Sequence, residues 1–145
     1  MDVLAGLEEA ARLRRPEVLV PLMAADVEFA APASARLVFR GRADVLSVLG
    51  VLFSTFSELV PRARFVTDGH VMVVVDGRFG PFWLTDAMLV EVTEHGGIRR
   101  LEPHLRPWPS ATLFIVLAGA RLLRRPRLLR RAVLGGTRRT PPVGR

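Results

Sequence analysis

The 145-residue chain contains no cysteine, and lysine, tyrosine, asparagine and glutamine are missing as well. Without cysteine there is no disulfide framework, no thiolate nucleophile and no thiolate metal site. Because lysine is missing, every strongly basic side chain is an arginine. We interpret this narrow alphabet as GC-rich coding bias, so the arginines do not by themselves indicate phosphate recognition.

The N-terminal segment also lacks the pattern of a secretory signal peptide, because Asp2, Glu8 and Glu9 fall where such a signal is uncharged or basic. Half of the residues are apolar, and they are interleaved with charged residues along most of the chain, as in soluble globular proteins. A length of 145 residues suits one domain with a single core. We therefore expect a cytoplasmic, single-domain protein.

Charge divides the chain into two parts. Residues 1–120 carry 12 arginines against all 14 acidic residues, a balance of −2, whereas residues 121–145 carry the other nine arginines and no acid. The uncharged residues 107–120 are fewer than the roughly 20 apolar residues that span a bilayer. All the excess positive charge therefore follows an apolar segment that is too short to cross a membrane.

The spacing of apolar residues predicts the secondary structure. Helical spacing predicts a first helix from Val3 to the Arg14-Arg15-Pro16 break, a short helix over residues 17–24 and a long amphipathic helix over residues 41–59. Residues 26–31 resemble a short strand. After Pro61 the period changes to two, which predicts four further strands over residues 62–68, 71–79, 82–93 and 98–106. This order predicts an α+β domain with helices on one face of a bent antiparallel sheet.

We divide the chain into a domain over residues 1–110, an apolar and then arginine-rich helical extension over residues 111–134, and a disordered tail over residues 135–145. Charge runs are usually solvated surfaces, so the favoured interpretation of the extension is a helical hairpin packed on the domain. The alternative is peripheral contact of residues 121–145 with an anionic membrane or another partner. Specific recognition of nucleic acid is not expected.

Three stretches carry a resemblance to a known family. They are residues 26–32 (DVEFAAP), residues 39–45 (FRGRADV) and residues 94–98 (EHGGI). In their order and spacing they resemble the SnoaL-like branch of the nuclear transport factor 2-like superfamily, over roughly residues 3–110. The resemblance implies a cone-shaped, curved antiparallel sheet wrapped around helices, a cystatin-like α+β barrel that is often a homodimer. Relatives use the pocket inside this cone as isomerases, cyclases, epoxide hydrolases or dehydratases, or for binding alone, so the fold does not settle the function.

The resemblance argues against the ketosteroid isomerase mechanism in this chain. Ala31 stands where that mechanism has its general-base aspartate, and the chain has no tyrosine for the oxyanion hole. The Asp-Arg-Asp arrangement of the epoxide hydrolase members cannot be placed on these strands either. We therefore leave open whether the protein is an enzyme.

Asp86 is the strongest candidate for a functional residue. Strand periodicity places it on the same face as Leu84 and Met88, where burial would disfavour the charged carboxylate and favour proton transfer near neutral pH. A purely structural pair with an arginine or with backbone donors is the alternative, and we favour it. His104 is a second acid-base candidate, but only if the strand register reverses near Pro103; otherwise it belongs to an outer charged row with Arg100, Glu102 and Arg106.

The favoured function is the binding of a small apolar ligand in the conical pocket, without an identifiable catalytic set. The alternatives are a small isomerase, cyclase or dehydratase that uses Asp86 or His104, and an interaction protein that docks through its arginine-rich end. No cofactor is expected, and the three histidines have no metal-ligand spacing. An open cavity that reaches Asp86 would favour the enzyme. The residues expected to line the pocket are Phe29, Phe53, Phe56, Phe65, Phe82, Leu84, Met88 and Leu101.

Overall fold

The computed structural model describes residues 2–34 and 36–135. Five helices and six strands alternate in a mixed order along the chain. The helices are α1 (Val3–Leu13), a 3-10 helix (Pro16–Leu22), α2 (Arg42–Thr55), α3 (Trp108–Leu122) and α4 (Pro126–Gly135). The strands are β1 (Met23–Ala30), β2 (Val38–Arg40), β3 (Glu58–Thr67), β4 (His70–Phe79), β5 (Phe82–Val92) and β6 (Ile98–Arg106).

The six strands form one curved sheet in the order β2-β1-β6-β5-β4-β3. All neighbouring pairs are antiparallel except β1 and β6, which run parallel. The sheet does not close into a barrel, because β2 and β3 are its two edges. The predicted α+β class with a curved sheet around helices is confirmed, and the parallel pair is the one departure from the antiparallel expectation.

Three local predictions need correction. The short second helix is a 3-10 helix that ends at Leu22, and β1 begins directly afterwards. The long helix ends at Thr55 instead of residue 59, because the backbone N–H of Ser57 already donates to the carbonyl of Arg78 at 2.8 Å and starts the pairing of β3 with β4. Strand β2 was missed, since three residues are too few for a periodic pattern to show.

The helices pack on the concave face of the sheet and bury a continuous apolar core. Its central members come from α1, β1, α2 and the middle strands, and they include Leu7, Phe29, Leu49, Val73 and Leu101. A second apolar cluster lies beside it and consists of Phe56, Phe79, Leu84, Phe114 and Ala118. The two clusters share the half-buried Leu52 as a neighbour, so α2 connects them.

The two C-terminal helices contribute to both clusters. Phe114 and Ala118 of α3 belong to the second cluster, while Leu122 of α3 and Leu128 and Ala132 of α4 belong to the main core. The extension is thus a helical pair packed on the domain, and none of the described helices is long and apolar enough to cross a bilayer. The predicted disorder of residues 135–145 falls, apart from the helical Gly135, outside the described residues.

Candidate ligand-binding cavity

A cavity lies between helices α1, α2 and α3 and the concave face of β3 to β6. The volume of this cavity is about 70 Å³, well above the roughly 10–15 Å³ that one water molecule needs on the same scale. Its wall is almost entirely apolar. The lining residues are Leu7, Ala11, Pro32, Leu49, Leu52, Phe53, Phe56, Leu59, Val73, Val75, Gly77, Leu84, Asp86, Met88, Pro103, Leu105 and Phe114.

Asp86 is the one polar side chain in this lining. It lies in the middle of β5, opposite Val75 of β4 and Leu105 of β6, and its strand neighbours on the same face are Leu84 and Met88. All four of these apolar residues also line the cavity. The two-residue period of the strand therefore places the carboxyl group on the apolar face, as the sequence predicted.

Burial raises the pKa of the Asp86 carboxyl group from its ordinary value of 3.8 to about 7. The cause is desolvation, because apolar surroundings disfavour the charged form; a hydrogen bond from the backbone N–H of His104 to Oδ1, at 3.1 Å, acts in the opposite direction. The side chain is half-buried by surface area even though it lies deep in the protein. Since Asp86 lines the cavity, its remaining accessible surface faces the cavity.

The side chain of His104 points away from the cavity. Pro103 and Leu105 face inward, so His104 lies on the outer face of β6 and is exposed. Its Nδ1 atom is 3.3 Å from the carbonyl oxygen of Ala87, and its Nε2 atom is 3.7 Å from a carboxylate oxygen of Glu102. The interpretation of His104 as a pocket base is therefore wrong, because the register near Pro103 does not reverse. Only its backbone N–H reaches the site.

Four of the eight side chains expected in the pocket do line it, namely Phe53, Phe56, Leu84 and Met88. The other four do not. Phe29 and Leu101 are fully buried in the main core, where Phe29 packs against Phe39 at a ring-centroid distance of 6.2 Å. Phe65, on the edge strand β3, is 58% exposed, and Phe82, at the start of β5, is 43% exposed. Periodicity assigned these residues to a face, but it could not show how far along the strand the cavity extends.

The aromatic end of the cavity contains residues that the sequence interpretation missed. The ring of Phe114 stacks on that of Phe56 at a centroid distance of 4.5 Å and meets Phe79 edge-on at 5.6 Å. Gly77 of β4 lies directly against the ring of Phe56, and a Cβ atom at this position would overlap the ring. A glycine inside a β-rich run is a known signal of such a close approach. The apolar stretch around Phe114 was likewise a signal that α3 had to be buried.

Apart from Asp86, none of the charged side chains in the described part of the chain lines the cavity. Glu28 of β1 binds Arg40 at 2.9 Å and Arg100 at 2.8 Å, and Arg100 also approaches Glu102 at 3.5 Å. Arg100 and Glu102 belong to the outer charged row that was expected on β6, and Glu28 of β1 and Arg40 of β2 continue it onto the neighbouring strands. Within residues 2–34 and 36–135, no three histidine or acidic side chains come close enough together to hold a metal ion.

No protein-family model matches the sequence, and no curated protein matches it significantly. Solved structures do resemble it. An uncharacterised bacterial protein with a cystatin-like fold from Silicibacter pomeroyi superposes with a TM-score of 0.80 at 24% identity, covering 89% of this chain and 92% of that one. A steroid delta-isomerase from Pseudomonas aeruginosa gives 0.76 at 19% identity, covering 86% and 91%.

A third similar structure, a nuclear transport factor 2-like protein of unknown function from Cytophaga hutchinsonii, gives a TM-score of 0.58 at 14% identity over 73% of this chain and 88% of that one. At these identities the similarity shows the fold alone. The chain therefore has the cystatin-like, nuclear transport factor 2-like fold, which confirms the resemblance drawn from its sequence at the level of fold.

Proposed function

We propose that the protein binds a small, mostly apolar molecule in the cavity and that Asp86 contacts its one polar group. The observation that carries this proposal is a single carboxyl group in a wall that is otherwise apolar. Apolar walls with a few placed polar groups are characteristic of small-molecule sites, in which burial supplies affinity and the polar group fixes orientation. One of the similar structures is a steroid delta-isomerase, an enzyme that acts on a mostly apolar molecule, and this likeness supports the same conclusion.

With a pKa of about 7, the Asp86 carboxyl group is present in both its protonated and its ionised form near neutral pH. The protonated carboxyl group donates a hydrogen bond to a carbonyl or hydroxyl oxygen, and the ionised form accepts one from a hydroxyl or amine. An unpaired polar group of the ligand would cost free energy in this apolar wall, so the ligand's polar atom has to lie beside Asp86. The site thus selects a small apolar molecule with one polar group.

The second candidate function is proton transfer by Asp86. It is favoured by the same pKa, because a general base or acid works best when its pKa lies near the working pH. The lining holds no second side chain that could donate a hydrogen bond to a developing oxyanion, and Ala31, beside the lining residue Pro32, has no side chain that could act as a base. The cavity reaches Asp86, which was the result expected of an enzyme, but because these other groups are missing from the lining, binding has stronger support than catalysis. The cytoplasmic location and the homodimer stay predictions.

Two fluorinated probes test binding. 4-Fluorobenzyl alcohol has one ring and one hydroxyl group, and 4-fluorotoluene has the ring alone; both are followed by fluorine NMR. We expect the alcohol to bind more tightly and Asp86→Leu to remove its advantage. Ala11→Phe, which fills the cavity from α1, should weaken both probes at least tenfold, whereas Ala120→Phe on the exposed face of α3 should change neither. Equal binding of both probes to all four proteins would refute the proposal.

The catalytic alternative is tested with 3-cyclohexen-1-one, whose conversion to the conjugated isomer is followed by ultraviolet absorbance. If Asp86 transfers the proton, the rate above that in buffer should rise with a midpoint near pH 7 and disappear in Asp86→Asn. An unchanged rate in Asp86→Asn would mean that groups other than Asp86 cause the conversion. Because the probe pair measures binding alone, binding and catalysis can fail separately.

A further inference from the structure

The outer face of α3 is apolar and exposed over its whole length. The exposed face opposite the buried residues Ala111, Phe114, Ala118 and Leu122 consists of Trp108, Thr112, Val116 and Ala120 of α3 and of Leu123 at its C-cap. Thr112 is the one polar side chain among these five. Trp108 is 77% exposed, Val116 61% and Leu123 71%. No charged residue occurs in the helix before Arg121. A surface of this kind is costly to leave in water.

Arginines surround a concave surface directly after this helix. Arg124, Arg125, Arg127 and Arg131, together with Ser47 of α2, line an open depression of about 390 Å³ at the turn between α3 and α4. Arg131 is bound to Asp44 of α2 through two hydrogen bonds, at 2.8 and 2.9 Å. Leu128 and Ala132 are buried in the main core. These contacts anchor α4 on the domain, and the turn that carries the other arginines comes directly after the apolar helix.

We propose that this surface docks the protein on an anionic phospholipid bilayer. The apolar side chains of α3 enter the interfacial layer, while the arginines at the turn contact the phosphates of the lipid headgroups. Each basic residue near an anionic membrane strengthens binding roughly fivefold, and exposed apolar area adds to this on burial. Helix α3 has 15 residues, so it lies along the surface and does not cross the bilayer.

The combination of features favours lipid over the other anionic or apolar partners. A nucleic acid would use the arginines, but it offers no apolar phase to Val116, Leu117 and Leu123. A second copy of this chain, joined through the same face, would cover the apolar side chains, but residues 107–135 contain no acidic side chain that could pair with the partner's arginines. A bilayer surface of anionic lipid satisfies the positive charge and the apolar face at once.

Vesicle co-sedimentation of the full chain tests the proposal. We expect binding to vesicles of phosphatidylcholine with 30% phosphatidylglycerol and at least tenfold weaker binding to pure phosphatidylcholine. The variant Arg124→Glu/Arg125→Glu/Arg127→Glu should lose at least tenfold in affinity. Its matched control, Arg12→Glu/Arg15→Glu/Arg36→Glu, makes the same charge change at exposed positions elsewhere and should retain most of the binding. Equal loss in both triple variants would overturn the proposal, because net charge alone would then explain the binding.

The apolar part of the surface has its own readout. In Trp83→Phe the remaining Trp108 reports the environment of α3, and its emission should shift to the blue on anionic vesicles but not with inorganic phosphate. Val116→Ser/Leu123→Ser should weaken vesicle binding several-fold without a loss of folding, since both side chains are exposed. An unshifted emission, or tighter binding to a 20-base-pair DNA duplex than to the vesicles, would refute docking on lipid.

Discussion

The cavity and the arginine-rich end of the molecule place their charged groups in opposite environments. In the cavity, one carboxyl group is surrounded by apolar side chains, and burial raises its pKa to about 7. At the turn between α3 and α4, several cations lie together in the open, where solvent stabilises them. Desolvation thus raises the pKa of a single acid in the first region, whereas a cluster of arginines is exposed to solvent in the second.

Helix α3 connects the two regions. Its inner face supplies Phe114 to the aromatic end of the cavity, and its outer face presents Val116 and Leu123 to solvent. A change on one face should therefore affect stability, and a change on the other should affect only surface interactions. The following predictions use this contrast, beginning with the largest effect.

Phe114→Ala should lower the free energy of unfolding by about 3–5 kcal/mol, because it removes a ring that is stacked on Phe56 and leaves a void beside the cavity. Val116→Ala, two residues away on the exposed face, should change it by less than about 0.5 kcal/mol. Urea unfolding followed by circular dichroism measures both. Similar losses for the two variants would mean that α3 does not have distinct buried and exposed faces.

Gly77→Ala should cost about 1–3 kcal/mol of unfolding free energy, because the new methyl group would overlap the ring of Phe56, which Phe114 holds in place. Gly50→Ala in α2 is the matched control. Nothing lies within 4 Å of its new methyl group, and alanine in a helix should stabilise by up to about 1 kcal/mol. The same denaturation assay applies, and a stabilising Gly77→Ala would contradict the packing described.

The free energy of unfolding should depend on pH because of Asp86. Its folded-state pKa is raised, so the native state keeps a proton that the unfolded chain releases, and this contribution to stability falls as pH rises from 3.8 to about 7. The slope is roughly −1.4 kcal/mol per pH unit within that window. Asp86→Asn should remove this component of the slope and unfold at a higher urea concentration at pH 8. Parallel pH profiles for the two proteins would show that burial does not perturb this carboxyl group.

Arg131→Ala should cost roughly 0.5–1 kcal/mol, since it breaks the two hydrogen bonds to Asp44 that fix α4 on α2 in an exposed setting. Arg130→Ala, one residue earlier and also exposed, should have no measurable effect. Thermal unfolding of the two variants compares them directly. A larger loss from Arg130→Ala would mean that α4 is held by other contacts.

Much of the fold could be predicted from periodicity. The strand period placed Asp86 beside Leu84 and Met88, and the helical period found α1 and the first part of α2. The end of α2 was misplaced because Phe56 continues the helical spacing, although the chain after it already pairs with β4. Strand β2 exists only through its partner β1, and a non-local contact of this kind has no signal in three residues.

The candidate site was only partly predictable. A pattern assigns each residue to a face, but the cavity is bounded by the packing of several elements, so Phe29 and Leu101 became core and Phe65 remained in solvent. The inward position of Pro103, which decides that His104 points outward, depends on the register of β6 against β5. Which residues line the cavity and which way His104 points both depend on tertiary contacts, and the sequence pattern does not show these contacts.

The most direct test of a cavity with one desolvated acid is a carbon-13 NMR titration of the Asp86 carboxyl group, assigned by comparison with Asp86→Asn. A midpoint near pH 7, displaced when 4-fluorobenzyl alcohol is added, is the predicted result. A midpoint close to 3.8 that does not respond to the alcohol would contradict both the burial of the group and its contact with a ligand.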